Sequence, residues 1–156
     1  MTELLRKHNI FDNKILEAGV EAYRKTKPSF LKPYPGVIET LENLKNKGIK
    51  IGLISDAQEE KALERLEAIG VTHFFDSILT NAGKPNVEAF EKALEKLEVK
   101  PEEAIMVGDF PQKDILGAKR AGLKTAHAKY GFIHPSEYHA PDYELETVDE
   151  LLKIVL

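Results

Sequence analysis

The sequence contains no cysteine. This absence excludes disulfide bonds, thiolate metal sites and cysteine nucleophiles. Long hydrophobic runs are also missing, and the longest apolar stretch is far too short to span a membrane. Residues 1–9 are charged and lack the apolar core of a secretory signal. These absences predict a cytoplasmic protein with no membrane partner.

Positive charge is in short supply as well. The chain has 22 Lys and Arg residues against 26 Asp and Glu residues, which gives a net charge of −4. A protein with this balance offers no electrostatic basis for binding nucleic acid. At 156 residues, 42% hydrophobic and 31% charged, the composition is typical of a globular protein with a single sizeable core.

Short apolar segments alternate with amphipathic segments after residue 30. The spacing predicts strands over residues 49–54, 74–79, 104–107, 123–128 and 142–145. It predicts helices over residues 35–47, 59–69, 87–97, 113–121 and 147–155, and also over residues 1–27. Strands that alternate with helices of crossover length indicate a parallel sheet covered by helices on both faces.

Polar side chains follow three of the predicted strands. Ser55 and Asp56 end the first, Lys84 lies in a Gly-Lys-Pro turn after the second, and Asp109 ends the third. Asp114 follows Asp109 by about one helical turn. Because the carboxyl ends of parallel strands lie at one edge of a sheet, we expect these groups to converge. A hydroxyl, an ammonium and carboxylates able to hold Mg²⁺ suit a phosphate site.

Each of these residues also has an ordinary structural interpretation. Ser55, Asp109 and Asp114 are residue types that cap helices. Lys84 is a residue type that is usually solvated in turns. The order and spacing of all of them favour the shared site over these separate alternatives.

From about residue 35 to residue 131 the chain resembles the haloacid dehalogenase superfamily. Residues 51–56 (IGLISD) are similar to the family motif in which a hydrophobic strand ends in Ser or Thr. Residues 83–90 (GKPNVEAF) resemble its Gly-Lys-Pro-x-Pro-x-x-Phe motif, with Val87 in place of the second proline. Residues 107–114 (VGDFPQKD) resemble its acidic motif.

The resemblance implies a Rossmann-like α/β fold, with a parallel sheet flanked by helices, and a Mg²⁺-dependent phosphohydrolase of small phosphate esters. It implies that Ser55 and Asp56 bind phosphate and that Lys84 neutralises both the phosphate and the nucleophile. It further implies that Asp109 and Asp114 lie on the Mg²⁺ side of the site.

The family's nucleophile motif, Asp-x-Asp-x-Thr, does not occur in these residues. Asp12 is the nearest mimic, but it lacks the second Asp and the Thr. We therefore expect residues 1–30 to be a remnant of the family's helical cap and residues 31–156 to be a core without its first strand. The alternative to an incomplete phosphohydrolase is a non-catalytic Mg²⁺-binding, phosphate-binding or structural remnant of the fold.

In the family, the absent strand lies between the Ser55 strand and the Asp109 strand. Unpaired backbone groups on both would be costly. Three arrangements would give these groups partners. The two strands pair directly, a second copy or partner segment fills the gap between them, or residues 1–27 cover the gap. Direct pairing or association between chains is the expectation.

Overall fold

The computed structural model describes residues 31–131 and 139–156. Its strands are β1 Gly52–Ile54, β2 Ser77–Leu79, β3 Ile105–Gly108, β4 Lys124–Ala128 and β5 Tyr143–Leu145. Its helices are α1 Val37–Asn46, α2 Glu59–Ala68, α3 Val87–Leu97, α4 Asp114–Arg120 and α5 Leu152–Val155. The predicted N-terminal helix, the cap remnant over residues 1–30 and Asp12 lie outside the described residues.

The five strands are all parallel where they pair. Leu53 of β1 is opposite Ile78 of β2, and Val107 of β3 is opposite Ala126 of β4. Strand β5 pairs with the other edge of β4. Helices connect β1 to β2, β2 to β3 and β3 to β4, as predicted, so the α/β fold class is confirmed.

The strands form two sheets, β1-β2 and β3-β4-β5. Within residues 31–131 and 139–156, no ladder joins β1 to β3, so the expected direct pairing of these strands is wrong. The physical reason is that each sheet packs on its own helix. Helix α3 contacts β1 and β2, whereas α4 contacts β3 and β4.

Within residues 31–131 and 139–156, three apolar clusters stabilise this arrangement. The first gathers Leu44, Ala126, Leu145 and Leu151 around α1, the second sheet and the C-terminal turn. The second gathers Leu66, Val71 and Phe74 beneath α2. The third gathers Ala89, Phe90 and Ala118 between α3 and α4. Of the helices in the described ranges, none has both the length and the apolar character to cross a bilayer.

Several element bounds differ from the prediction, and two of the differences have a clear structural reason. Strand β1 begins at Gly52 and not at Ile49, because Ile49 packs into the first cluster instead of extending the ladder. The closing helix begins as a 3₁₀ turn, Val148–Leu151, before α5. Glu150 accepts hydrogen bonds from the backbone N–H groups of Glu146 and Thr147, at 2.8 Å and 3.4 Å, which supports the predicted start.

Candidate functional site

Strand β1 delivers Ser55 to the carboxyl edge of its sheet. The Ser55 N–H donates to the Leu79 carbonyl at 2.8 Å, which continues the ladder with β2. The Ser55 Oγ accepts a hydrogen bond from the Ala57 N–H at 3.2 Å. The hydroxyl proton of Ser55 therefore points away from that contact and can be donated to a ligand oxygen.

The loop that carries Lys84 is tied to the end of β1. The Ala82 N–H donates to the Ser55 carbonyl at 3.0 Å. The Lys84 N–H donates to Asp56 Oδ1 at 2.9 Å. Gly83 has φ +69°, a conformation that glycine adopts without strain. These contacts bring the backbone of Lys84 to the same edge as Ser55.

The Lys84 side chain reaches from this loop to the start of α4. Its Nζ lies 2.5 Å from Asp114 Oδ1, and the two side chains are only 12% and 5% exposed. The other oxygen, Asp114 Oδ2, accepts the Phe110 N–H at 3.0 Å. The pair thus joins the loop after β2 to the segment after β3, in a place largely shielded from water.

Asp56 and Lys113 form a second, more exposed connection between the same segments. Lys113 Nζ donates to Asp56 Oδ2 at 2.8 Å. Burial acts to raise the pKa of Asp56, but the hydrogen bonds from Lys113 and from the Lys84 N–H outweigh it and hold that pKa below its ordinary value. Both oxygens of Asp56 therefore accept from lysine residues.

Asp109 follows β3 directly and faces the turn after β4. A Cβ atom on Gly131 would lie 2.4 Å from Asp109 Cβ and 2.9 Å from its Oδ2. The missing side chain of Gly131 is what gives Asp109 its room. Burial, and then the negative charge of Asp109, raise the pKa of the neighbouring Tyr130. The Tyr130 ring meets the Tyr34 ring edge-on, with centroids 5.5 Å apart.

Gly108 has a similar function for Asp114. A Cβ atom there would lie 2.4 Å from Asp114 Cβ. Only glycine at the last position of β3 lets α4 start close enough for Asp114 to meet Lys84. The pair Gly108-Asp109 indicates in the sequence that the strand ends there. It does not indicate how close Gly108 lies to Asp114.

The structure thus connects Asp56, Lys84 and Asp114 through a continuous set of contacts, with Ser55 beside Asp56. Among the described residues, no group of three His, Asp or Glu side chains is placed to hold a metal ion. The metal-binding assignment of Asp109 and Asp114 stays a prediction, as does the phosphate-binding assignment of Ser55, Asp56 and Lys84.

Sequence reasoning missed Lys113, Tyr130 and Gly131. The sequence pattern predicts only the start of a helix at Lys113, and it predicts no element over residues 129–141. The available signal was position, because Tyr130 and Gly131 come directly after β4 and so lie at the same sheet edge as Asp109.

Comparison with known proteins gives a consistent set of relatives. The family model described as haloacid dehalogenase-like hydrolase matches residues 1–128. A glyceraldehyde 3-phosphate phosphatase from Methanopyrus kandleri is 41% identical over 150 residues, which cover 91% of this chain and 64% of that protein. A pyrophosphatase, PpaX, from Halalkalibacterium halodurans is 39% identical, over 92% of this chain and 71% of its own length.

A solved structure agrees with these matches. The crystal structure of a phosphatase of the same superfamily from Thermococcus onnurineus superimposes with a TM-score of 0.75 at 33% identity. The match covers 86% of this chain and 63% of that one. The chain therefore spans about two thirds of the length of such relatives.

Proposed function

Because this chain belongs to the haloacid dehalogenase-like hydrolase family, we propose that Pro33–Leu156 provides the phosphate-binding and Mg²⁺-binding part of a phosphohydrolase of small phosphate esters. The contacts within these residues define one compact unit. The observation that carries the proposal is the shielded Lys84–Asp114 pair, 2.5 Å long, at the sheet edge where Ser55 also lies.

Lys84 is the group that meets the charge of the phosphate. An ammonium has three N–H donors, and the contact with Asp114 uses one of them. The remaining donors suit the oxygens of a phosphoryl group. Because the side chain is only 12% exposed, its charge acts with little screening by solvent. Asp114 fixes the direction of the ammonium.

Ser55 supplies a neutral donor to the same anion. Its Oγ accepts the Ala57 N–H, so its own proton is available for donation to a ligand. Asp56 serves the site through position: it accepts the Lys84 N–H and the Lys113 ammonium, and so holds the two loops together. We assign Asp56 a positioning role, since both its oxygens are occupied by donors.

The carboxylates of this site suit Mg²⁺ better than they suit a metal ion whose ligands all come from protein side chains. Mg²⁺ is usually bound by one or two carboxylates, with waters and substrate phosphate completing its shell. We assign this role to Asp109, and the absence of a side chain at Gly131 leaves room beside it. When bound, Mg²⁺ would supply neutralisation of the phosphoryl charge. Tyr130, whose pKa is raised by burial and by the charge of Asp109, and Gly131 lie beside this carboxylate.

Hydrolysis in this family requires an attacking carboxylate, and these 156 residues contain no Asp-x-Asp pair. We propose that a polypeptide outside them provides it at this sheet edge. The relative from Methanopyrus kandleri is named for glyceraldehyde 3-phosphate, which is a small phosphate ester. A small phosphate ester is therefore the proposed substrate class. Without the carboxylate, we expect Mg²⁺ and phosphate binding without turnover.

Calorimetric titration with inorganic phosphate in Mg²⁺ tests the binding half of the proposal. We expect one site per chain, weakened at least about tenfold by Lys84→Met, the effect of one lost charge-assisted hydrogen bond. Lys92→Met, on the exposed face of α3, is the matched control and should bind like the wild type. Equal binding by both variants would remove Lys84 from the site.

Release of phosphate from an aryl phosphate in Mg²⁺ tests catalysis. The purified chain should show none above background, and the titration above should still show binding. Turnover that Asp109→Asn abolishes would mean that an attacking group is already present in these residues. Absence of both binding and turnover would favour the alternative of a structural remnant.

A further inference from the structure

Asp56 places a negative charge beside the candidate phosphate site. It lies between Ser55, whose hydroxyl we assign to phosphate, and Ala57, whose N–H donates to that hydroxyl. Its Oδ1 accepts the Lys84 N–H at 2.9 Å, so the carboxylate is also close to the backbone of the assigned lysine. A phosphate group carries roughly −1.5 to −2 charges near neutral pH. An ionised carboxylate at this place would repel the ligand of the site.

The contacts of Asp56 keep its carboxyl ionised. Burial acts to raise the pKa of Asp56, but the hydrogen bonds from Lys113 and from the Lys84 N–H outweigh burial and hold that pKa below its ordinary value. Protonation therefore does not remove the repulsion at neutral pH. The charge of Asp56 must be cancelled by a cation.

Lys113 is the cation that lies on Asp56. Its Nζ is 2.8 Å from Asp56 Oδ2, although the two residues are 57 positions apart in the chain. The ammonium also lies 5.5 Å from the centroid of the Phe110 ring, within the range of a cation–π contact. The Lys113 N–H donates to the Phe110 carbonyl at 3.0 Å, which fixes the base of the side chain. The ammonium is thus held on Asp56 by contacts with two segments of the chain.

The exposure of this ion pair argues against a role in stability alone. The side chains of Lys113 and Asp56 are 41% and 31% exposed. Ion pairs as exposed as this one contribute little to the free energy of unfolding. A phosphate on Ser55, in contrast, would lie within about one screening length of Asp56, which is about 8 Å at physiological salt. Cancelling the charge of Asp56 therefore matters more for an anionic ligand than for the fold.

We infer that Lys113 is a positioning residue of the phosphate site, which acts through Asp56 by cancelling the charge that this carboxylate would otherwise present to a bound phosphate. Asp56 keeps its own function, because its other oxygen still accepts the Lys84 N–H. The inference rests on the proposed function, since it requires that phosphate binds beside Ser55 and Lys84.

Calorimetric titration of the full chain with inorganic phosphate, with Mg²⁺ present and at low ionic strength, tests the inference. Lys113→Met uncovers the charge of Asp56 and should weaken phosphate binding at least about fivefold, as expected for one charge within a screening length. Lys113→Arg keeps the positive charge and should rescue the affinity to within about twofold of wild type.

The matched control is Lys45→Met, which breaks a similar ion pair. Lys45 Nζ lies 2.6 Å from Asp76 Oδ1, and both side chains are 34% exposed. Asp76 comes just before β2, whereas Asp56 comes just after β1, so the two pairs lie at opposite ends of the parallel strands. Lys45→Met makes the same change in net charge as Lys113→Met, but phosphate affinity should stay at the wild-type value.

Two further variants separate charge cancellation from other functions of Lys113. Asp56→Asn keeps an oxygen for the Lys84 N–H but removes the charge, so it should bind phosphate more tightly than the wild type. Asp56→Asn combined with Lys113→Met removes both charges and should return to within about twofold of wild type. If Lys113 were a direct ligand of phosphate, or if the pair only held two loops together, the double variant would stay as weak as Lys113→Met. That result would overturn the inference.

Ionic strength gives a readout that a purely structural contact would not affect. The ratio of the dissociation constants of Lys113→Met and wild type should fall as the ionic strength rises from about 0.02 M to about 0.5 M, because salt shortens the reach of a charge. A ratio that does not depend on salt would contradict the inference. Circular dichroism and urea unfolding of every variant check that the fold is kept.

The same titrations distinguish this inference from the proposed function. Phosphate binding that Lys84→Met weakens but Lys113→Met does not would overturn the inference alone. Equal weakening by Lys45→Met and Lys113→Met would show an effect of net charge and would also overturn the inference alone. No phosphate binding by the wild type would overturn the proposed function and the inference with it.

Discussion

At the scale of single residues, the Lys84–Asp114 pair affects both the stability of the fold and the candidate site. Its two side chains are 12% and 5% exposed, so each charge is stable only beside the other. Attraction within such a pair does little more than offset the cost of removing two charges from water. The pair therefore fixes the direction of the ammonium more than it adds stability.

Removing one partner should be costly. Lys84→Met leaves the carboxylate of Asp114 shielded and uncompensated, and we expect a loss of roughly 3–5 kcal/mol in the free energy of unfolding by urea. Lys84→Met combined with Asp114→Asn removes both charges and should recover most of that loss. Lys92→Met is the surface control. A loss below about 1 kcal/mol for the single variant would show that the pair is solvated.

Acid should destabilise the fold through paired carboxylates. Hydrogen bonds from Lys45 and from the Ile51 N–H hold the pKa of Asp76 below its ordinary value, and those from Thr125 do the same for Asp142. A carboxyl with a lower pKa in the folded state contributes stability above its unfolded pKa and loses it as pH falls through the folded value.

The free energy of unfolding should therefore be level between about pH 7 and pH 5 and fall below about pH 4. Asp76→Asn should make that fall shallower, whereas Glu91→Gln, on the exposed face of α3, should not change it. Urea titrations at a series of pH values measure this. An identical slope in Asp76→Asn and wild type would contradict the assignment.

The variant Gly131→Ala tests the proposal that Asp109 binds Mg²⁺. The added Cβ would lie 2.4 Å from Asp109 Cβ, so the carboxylate must move. We expect Mg²⁺ affinity, measured by calorimetry, to fall about tenfold or more, as for other changes beside a metal ligand. Gly48→Ala, where no atom lies within 4 Å of the new Cβ but φ is +75°, strains only its own backbone and controls for the loss of a glycine away from Asp109. Its Mg²⁺ affinity should be unchanged.

Position in the chain predicted Ser55, Lys84 and Asp109, because each follows an apolar segment bounded by turn residues. It did not predict the Lys113 contact with Asp56, which joins residues 57 positions apart. Neither did it predict Gly131 beside Asp109. Such contacts depend on how segments that follow different strands pack against each other. The local spacing of apolar residues does not predict that packing.

At the scale of elements, the contact between α3 and α4 sets the distance between the two loops of the site. A Cβ on Gly117 of α4 would lie 2.4 Å from Phe90 Cε2 and 3.1 Å from Pro85 Cα. Phe90 has no exposed surface. The close approach of these helices therefore depends on the absence of a side chain at Gly117.

Gly117→Ala should cost roughly 1–3 kcal/mol in the free energy of unfolding, because the core must shift to admit a methyl group. Phe90→Leu alone should also be destabilising, since it leaves a cavity. Combined, the two changes should cost clearly less than their sum, by about 1 kcal/mol. Urea unfolding of the four proteins measures the coupling, and strict additivity would contradict the contact.

Element type was predictable, and element ends were less so. The spacing of apolar residues predicted α3 over Val87–Leu97, as observed. The first two strands were predicted too long. The apolar residues before β1 and β2 pack in the core and do not pair in a sheet. Ile49 enters the first cluster, and Thr72–Phe74 forms a 3₁₀ turn. The hydropathy pattern does not distinguish an apolar residue that packs in the core from one that also pairs in a strand.

At the scale of the whole molecule, the sequence predicted parallel strands covered by helices but not their division into two sheets. The division arises because α3 and α4 each pack on a different sheet. At the carboxyl edge, the Lys84–Asp114 and Asp56–Lys113 pairs connect the loops that follow β1 and β2 to the segment that follows β3. Fold and candidate site are thus linked, because the contacts that join the two sheets there are made by residues that we assign to the site.

The most direct test of the account is nuclear magnetic resonance mapping of inorganic phosphate binding to the full chain in Mg²⁺. One binding event should shift the backbone amides of residues 55–57, 82–84 and 109–110 together, with a common dissociation constant. Lys84→Met should raise the dissociation constant of all three segments together, by at least about tenfold. Shifts confined to one of the three segments, or spread over distant surfaces, would contradict a single phosphate site at this sheet edge.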